Sequence, residues 1–237
     1  MLELYHNWNS TCSLKVRIAL AEKGLEWKGH HLDLKALQQL EPAFLELNPA
    51  GMVPVLVHDG VAINESMVIN EYLDDAFPEI SLRPAEPTAR ARMRAWTLYV
   101  TVEPSWAIKA PSYQKNLRPV LAGTKSDAEF AAMAARMPDQ QNAARWVTAA
   151  TRGFNDEELG EQWARLAKTL DRMEASLKEG AWLAGAGYSL ADIDMAPFVH
   201  RIAVLGQANL IGMRPQVADW YARIKARPAF TKALAPT

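Results

Sequence analysis

Over the first eighty residues, short clustered or alternating apolar runs are separated by segments of helical period. LELYH (residues 2–6), WKGHHLDL (27–34) and VPVLVHDGVAI (53–63) have the composition of strands, and HDG predicts a hairpin turn within the last of them. Between them, residues 12–23 place Leu14, Ile18 and Ala21 on one helical face, with Gly24 as terminator. Further helices are predicted over ALQQLEPAFLELN (36–48) and NESMVINEYLDDAF (64–77). The alternation is that of a compact α/β unit.

The pattern changes at FPEISLRPAEPTAR (77–90), whose three prolines predict a boundary between units spanning 1–80 and 88–237. Beyond it the periods are helical. EQWARLAKTLDRMEASL (161–177) sets Trp163, Leu166, Leu170, Met173 and Leu177 three and four residues apart, the stripe a helix bundle needs. In GYSLADIDMAP (187–197), Ser189 and Asp192 form a capping box, with Tyr188 and Ile193 at staple spacing. Residues 217–225 are another helix, whereas residues 112–156 mix proline, glycine and charge and predict two short helices joined by loops.

At 237 residues and 49% hydrophobic content the chain can bury a sizeable core. Lysine plus arginine number 26 against 27 acidic residues, a net charge of -1, so no electrostatic excess favours nucleic acid or an anionic membrane. Small molecules and other proteins are the expected partners. The single cysteine allows no intramolecular disulfide, and the start MLELYHNWN lacks the basic and apolar regions of a secretory signal. An uncharged run such as 202–213 is far short of the roughly 20 apolar residues that span a bilayer. A cytoplasmic chain without a membrane anchor is the expectation. His30, His31, His58 and His200 show no ligand spacing, so no metal is expected.

Three segments carry candidate chemistry. NSTCS (9–13) sets Ser10, Thr11, Cys12 and Ser13 at a helix start, where free N–H groups favour negative charge. A hydroxyl donating to a thiolate there contributes about 1.5–3 kcal/mol, enough to bring a thiol from about 8.5 to near 7. The plain alternative is that Ser10 or Thr11 caps the helix and Cys12 is packing. In GMVPVL (51–56), Pro54 suits a strand edge or a cis turn that leaves the Val53 backbone free. In NESMVINEYL (64–73), Glu65 and Ser66 open a helix whose N–H groups and hydroxyl can hold a carboxylate, while Glu65 meets an ammonium. Together these make a receptor for an amino acid end.

NSTCSLKVRIAL, NPAGMVPVL, NESMVINEYL and YSLADI stand in the order and spacing of the cytosolic glutathione transferases, and the chain resembles that family over nearly its whole length. The resemblance implies an α/β thioredoxin-like N-terminal domain, an all-α C-terminal domain, glutathione as co-substrate and often a homodimer. It implies that Pro54 is the cis-proline, that Val53 pairs by its backbone with the cysteinyl part, that Glu65 and Ser66 hold the γ-glutamyl end, and that Gln39 contacts the glycyl end. The Ser-x-Cys arrangement is most similar to the Zeta class and the related tetrachlorohydroquinone reductive dehalogenase. The long middle region and the RARPAF end are also similar to bacterial β-aryl etherases.

By the same resemblance Ser10 stabilises the glutathione thiolate, with Ser13 as the alternative donor, and Cys12 attacks a glutathionyl adduct in reductive chemistry. Asn9 stands where Zeta isomerases tend to carry a basic residue, which weakens the isomerase reading. Trp106 and Tyr113, with Asn9, are candidates for the second-substrate pocket, whereas Trp96 and Tyr99 read as packing. The arginines at 90–94, Arg118 and Arg201 read as solvated surface, and the Asp192 and Asp194 pair as structural. The expected reaction is attack of the glutathione thiolate on an electrophilic aromatic or conjugated small molecule. Reductive dehalogenation and β-aryl ether cleavage are its sharper forms, and a maleylacetoacetate-type isomerase or a non-catalytic binding protein of the same fold are the alternatives.

Overall fold

The computed structural model describes residues 1–235. Its first elements are β1 (Leu2–His6), α1 (Thr11–Glu22), β2 (Lys28–His31), a 3₁₀ turn (Gln38–Leu40), α2 (Pro42–Leu47), β3 (Val55–His58), β4 (Val61–Ile63) and α3 (Ser66–Ala76). The sheet order is β2-β1-β3-β4. β1 runs parallel to β2 and antiparallel to β3, with Tyr5 opposite His30 and Leu4 opposite Leu56. The helix expected over 36–48 is divided because Pro42 cannot donate to a preceding turn and instead opens α2.

The remaining elements are helical: α4 (Pro87–Val102), α5 (Pro104–Ala107), α6 (Lys109–Asn116), α7 (Arg118–Leu121), α8 (Asp127–Ala134), α9 (Gln140–Ala150), α10 (Asp156–Glu179), α11 (Leu190–Ile202), a π turn (Ala203–Gln207), α12 (Ala208–Gly212), α13 (Pro215–Lys225) and α14 (Pro228–Leu234). Residues 112–156 thus hold more helix than the sequence signals suggested. Ser126 and Asn155 each complete a capping box that the mixed composition concealed.

Helix α1 is buried from Ser13 to Leu20 and packs against α3, α11 and α14. One core therefore runs from Leu4 and Leu56 of the sheet through Ile18 to Met93, Leu170, Phe198 and Trp220. The α10 stripe enters it through Leu166, Leu170, Met173 and Leu177, with Trp163 partly buried at its rim. Asp192 is fully buried. It caps α11 and accepts from Leu183 N (3.0 Å) and Trp220 Nε1 (2.8 Å), so its carboxylate is spent on structure. A second cluster joins Leu37 and Leu40 to Leu117, Phe130, Met137 and Trp146, which seats the α6–α9 region against the 3₁₀ turn. Gly51, at φ +62°, permits that approach: a Cβ there would lie 2.9 Å from Leu40 Cδ2 and 3.5 Å from Pro138 Cδ.

No helix among the described residues is long and apolar enough to cross a membrane.

Candidate functional site

Three backbone segments carry the candidate residues: the start of α1, the turn before β3 and the start of α3. Ser10 has extended dihedrals and is the N-cap: its Oγ accepts from Ser13 N at 3.1 Å. The cap uses a lone pair, so the Ser10 O–H remains available to donate. Ser10 is partly exposed, whereas Ser13 is fully buried and its Oγ accepts from Asn7 N at 3.4 Å. Cys12 is partly buried and packs against the main core.

The loop before Ser10 is held by two arginines. Arg17 donates to the carbonyls of Asn7 (3.1 Å) and Trp8 (3.1 Å), and Arg201 donates to that of Asn9. Arg17 also reaches Ala233 O of α14 at 3.0 Å, and its guanidinium lies 4.6 Å from the Trp8 ring centroid. Neither arginine has a carboxylate partner among the described residues, and burial pulls both below the ordinary arginine range, Arg17 to about 10. Arg201, read from sequence as surface, is instead a tie between the helices and this loop. Arg118 is likewise a tie, donating to Thr151 O at 2.7 Å.

The Val53–Pro54 peptide is cis and leads into β3. Glu65, exposed, takes φ 65° and ψ 112° as N-cap of α3, a conformation that a non-glycine residue holds at a cost of about 1–3 kcal/mol. The strain turns the chain so that Ser66 begins the helix, buried. Its Oγ accepts from Lys15 Nζ at 3.0 Å, leaving the Ser66 hydrogen free to donate outward. Lys15 is also buried and paired with Asp194 Oδ2 at 2.9 Å, while Asp194 Oδ1 accepts from Asn70 Nδ2 at 2.9 Å. The missed signal for Lys15 is a charge inside the apolar run of α1. Gln39 sits on the 3₁₀ turn beside Gly51, and its Oε1 is buried without a donor partner among the described residues.

Those features suit a peptide-like ligand. They offer N–H groups and the Ser66 hydroxyl at the start of α3 for a carboxylate, the exposed Glu65 carboxylate for an ammonium, the Gln39 oxygen for an amide N–H, and the Ser10 hydroxyl for an anionic atom.

Trp106 on α5 and Tyr113 on α6 stand on the helical side. Tyr113 donates to Asn142 Oδ1 at 2.9 Å, and burial pushes its phenol up to about 12. Lys109 donates to the same oxygen at 3.2 Å and lies 3.8 Å from the Trp106 centroid, with the Arg145 guanidinium 5.0 Å from that ring. Arg201 joins this helix to the Ser10 loop, because its other nitrogen donates to Ser112 Oγ at 3.4 Å. Trp96 and Tyr99 pack in and against the main core, Tyr99 within 3.0 Å of Thr169 Oγ1. A cavity of about 500 Å³ lined by Leu177, Trp182, Gln216, Asp219 and Arg223 contains none of the candidate residues.

A family model described as "Glutathione S-transferase, N-terminal domain" matches residues 9–76, and one described as "Glutathione S-transferase, C-terminal domain" matches residues 131–223. Protein LigF of Sphingobium sp. (strain NBRC 103272 / SYK-6) is 35% identical over 96% of this chain and 91% of its own. The crystal structure of LigF, described as a beta-etherase, matches at a TM-score of 0.88 and 33% identity over 98% of each chain. Glutathione S-transferase Z2 of Arabidopsis thaliana is 30% identical over 98% of this chain and 90% of its own. A probable maleylacetoacetate isomerase of Caenorhabditis elegans is 42% identical, but over 41% of this chain and 45% of its own.

Proposed function

The chain belongs to the glutathione S-transferase family, a glutathione-dependent enzyme with glutathione as its co-substrate, and from that premise we propose that it cleaves a β-aryl ether. The observation that carries this reading is the likeness to LigF, which extends through the helical half that faces the second substrate. Residues 1–80 then form the glutathione-binding unit and residues 88–237 the unit that receives the ether.

In this reading Glu65 and Ser66 hold the γ-glutamyl end, the Val53 backbone ahead of Pro54 pairs with the cysteinyl part, and Gln39 receives an N–H near the glycyl end. Ser10 donates its free hydrogen to the sulfur and keeps it as thiolate at neutral pH. The exposure of Ser10 and the burial of Ser13 support Ser10 as that donor. A C–S bond then forms, the C–O bond breaks, and its electron pair leaves on the aryl oxygen, which takes up a proton. Asn9, Trp106 and Tyr113 line the second-substrate side.

Cys12, free and two residues from Ser10, supports a second reading in which its thiolate attacks the sulfur of a glutathionyl product: an S–S bond forms, the C–S bond breaks, and its electron pair stays on the carbon, which takes up a proton to leave as the reduced fragment beside a Cys12–glutathione disulfide. Exposed Val61 on β4, Val68 on α3 and Leu98 and Val102 on α4 support a homodimer, and the free cysteine suits a cytoplasmic setting.

The test is product analysis by mass spectrometry with glutathione and a β-aryl ether, an aryl halide or a maleyl compound, on wild type and Cys12→Ser. Thioether plus free phenol from the ether is expected. An intact ether alongside isomerised maleyl compound overturns the reading. Accumulation of a glutathionyl adduct in Cys12→Ser alone assigns the reductive step to Cys12.

A further inference from the structure

On the helical side, two cations share one aromatic ring. Lys109 spends one of its three donors on the neutral Asn142 Oδ1 and rests over Trp106. Arg145 approaches the same ring and, among the described residues, otherwise donates only to Gln141 O at 3.3 Å. Neither makes an ion pair among the described residues. The nearby Asp139 is occupied at the start of α9, where it accepts from Asn142 N at 3.0 Å. Asn142 Oδ1 is fixed by Lys109 and Tyr113 together, so its amide nitrogen has a set direction and adds a neutral donor.

The cluster stands on the helix that is tied to the Ser10 loop. Arg201 joins Asn9 O to Ser112 Oγ, and Lys109 is one helical turn from Ser112 on that same face of α6. Burial lowers the Lys109 ammonium from its ordinary value; Asp139 acts against that fall and the neighbouring Arg145 adds to it. Two like charges in a half-buried place, beside an aromatic face and with open donors, are relieved by an anion on a flat apolar body.

We infer that Lys109, Arg145, Asn142 and Trp106 form an oxyanion subsite, so that the second substrate is an aromatic compound bearing an anionic oxygen, as carboxylate or phenolate. The inference rests on the transferase reading and names its substrate class. Lys109 and Arg145 set specificity through this anchor.

Isothermal titration on the full chain tests it with 4-nitrobenzoate, 4-nitrophenolate at pH 8 and the neutral methyl 4-nitrobenzoate, each against wild type, Lys109→Met, Lys109→Arg and Arg145→Met. At least one anion is expected to bind wild type about tenfold or more tighter than the ester, the span of a charge-assisted hydrogen bond. Which anion does so distinguishes carboxylate from phenolate. Lys109→Met should bring anion and ester within about threefold while ester binding holds, and Lys109→Arg should restore most of the preference. Equal binding of anions and ester by wild type, or an undiminished preference in Lys109→Met, overturns the subsite. Glutathione titrated into the same samples separates the two readings: glutathione bound without anion preference removes the subsite alone, whereas anion preference without glutathione binding removes the transferase reading and leaves the subsite.

Discussion

Replacing Ser10 with alanine removes two interactions of different kinds. One is the cap, Ser13 N to Ser10 Oγ at 3.1 Å, worth about 1 kcal/mol of stability. The other is the hydrogen bond we propose from the Ser10 hydroxyl to the glutathione sulfur, about 1.5–3 kcal/mol for a charged acceptor. At 1.36 kcal/mol per unit, losing the second raises the bound thiol by about one to two pH units, from near 7 back toward 8.5 or above. The sign follows: the thiol pKa is lowered by the site, so the advantage of wild type lies below about pH 8.5 and vanishes above it. At pH 6.5 the thiolate fraction, and with it the rate of conjugation, should fall roughly tenfold to a hundredfold. The assay is ultraviolet thiolate absorbance of the enzyme–glutathione complex against pH, with turnover at the same points and denaturant midpoints to confirm folding. Ser13→Ala is the control, since its buried Oγ accepts a long 3.4 Å bond from Asn7 N. It should lose stability and leave the thiol where it was. If Ser13→Ala raises the thiol by a unit while Ser10→Ala does not, the assignment of donor is wrong.

Two further outcomes follow from buried charge. Lys15→Met strands Asp194, fully buried, and should cost about 3–5 kcal/mol by urea denaturation; adding Asp194→Asn should return part of it, while glutathione binding stays weakened because Ser66 has lost its orienting donor. His6, 1% exposed, is held to about 3 by burial, then Arg17 and the neighbouring histidines, so it stays neutral in the fold where the unfolded chain takes a proton. Its contribution is complete above pH 6.5 and is lost as pH falls toward 3, at up to about 1.4 kcal/mol per unit; a flatter acid limb for His6→Phe in denaturant titrations checks this.

The legible parts of the sequence were those governed by local pattern. The apolar runs of β1 and β3, the α10 stripe and the Ser189–Asp192 box each express a period or a spacing, and each forms where expected. Ser10, Pro54, Glu65 and Ser66 were visible because a loop, a strand and a helix start each advertise themselves in a few residues. Other features depend on pairs far apart in the chain. Lys15 meets Asp194 across 179 positions of the numbering and Arg201 meets Asn9 across 192, and neither partner carries a local mark of the other. The 112–156 region was obscure because its helices are short and their caps, Ser126 and Asp139, look like ordinary loop residues. Asn142 and Arg145 of the anion subsite lie in that region, on α9, and Trp106 and Lys109 stand just ahead of it on α5 and α6.

The two arginines on the Ser10 loop bear on how such a protein can be recombined. Three successive carbonyls, of Asn7, Trp8 and Asn9, are gripped by one guanidinium from α1 and one from α11, and the first of these also depends on a carbonyl of α14. A hybrid that joins this N-terminal half to a relative's helical half would therefore keep Arg17 but inherit Ser10 without the Arg201 tie and the α14 carbonyl that holds Arg17. Such exchanges, made to trade one electrophile for another, should succeed only when Arg201 and the α14 backbone travel with residues 7–9. In the proposed reading, the helices that choose the substrate are also the foundation of the loop that arms the sulfur, and a breeder of new specificities would have to graft both together.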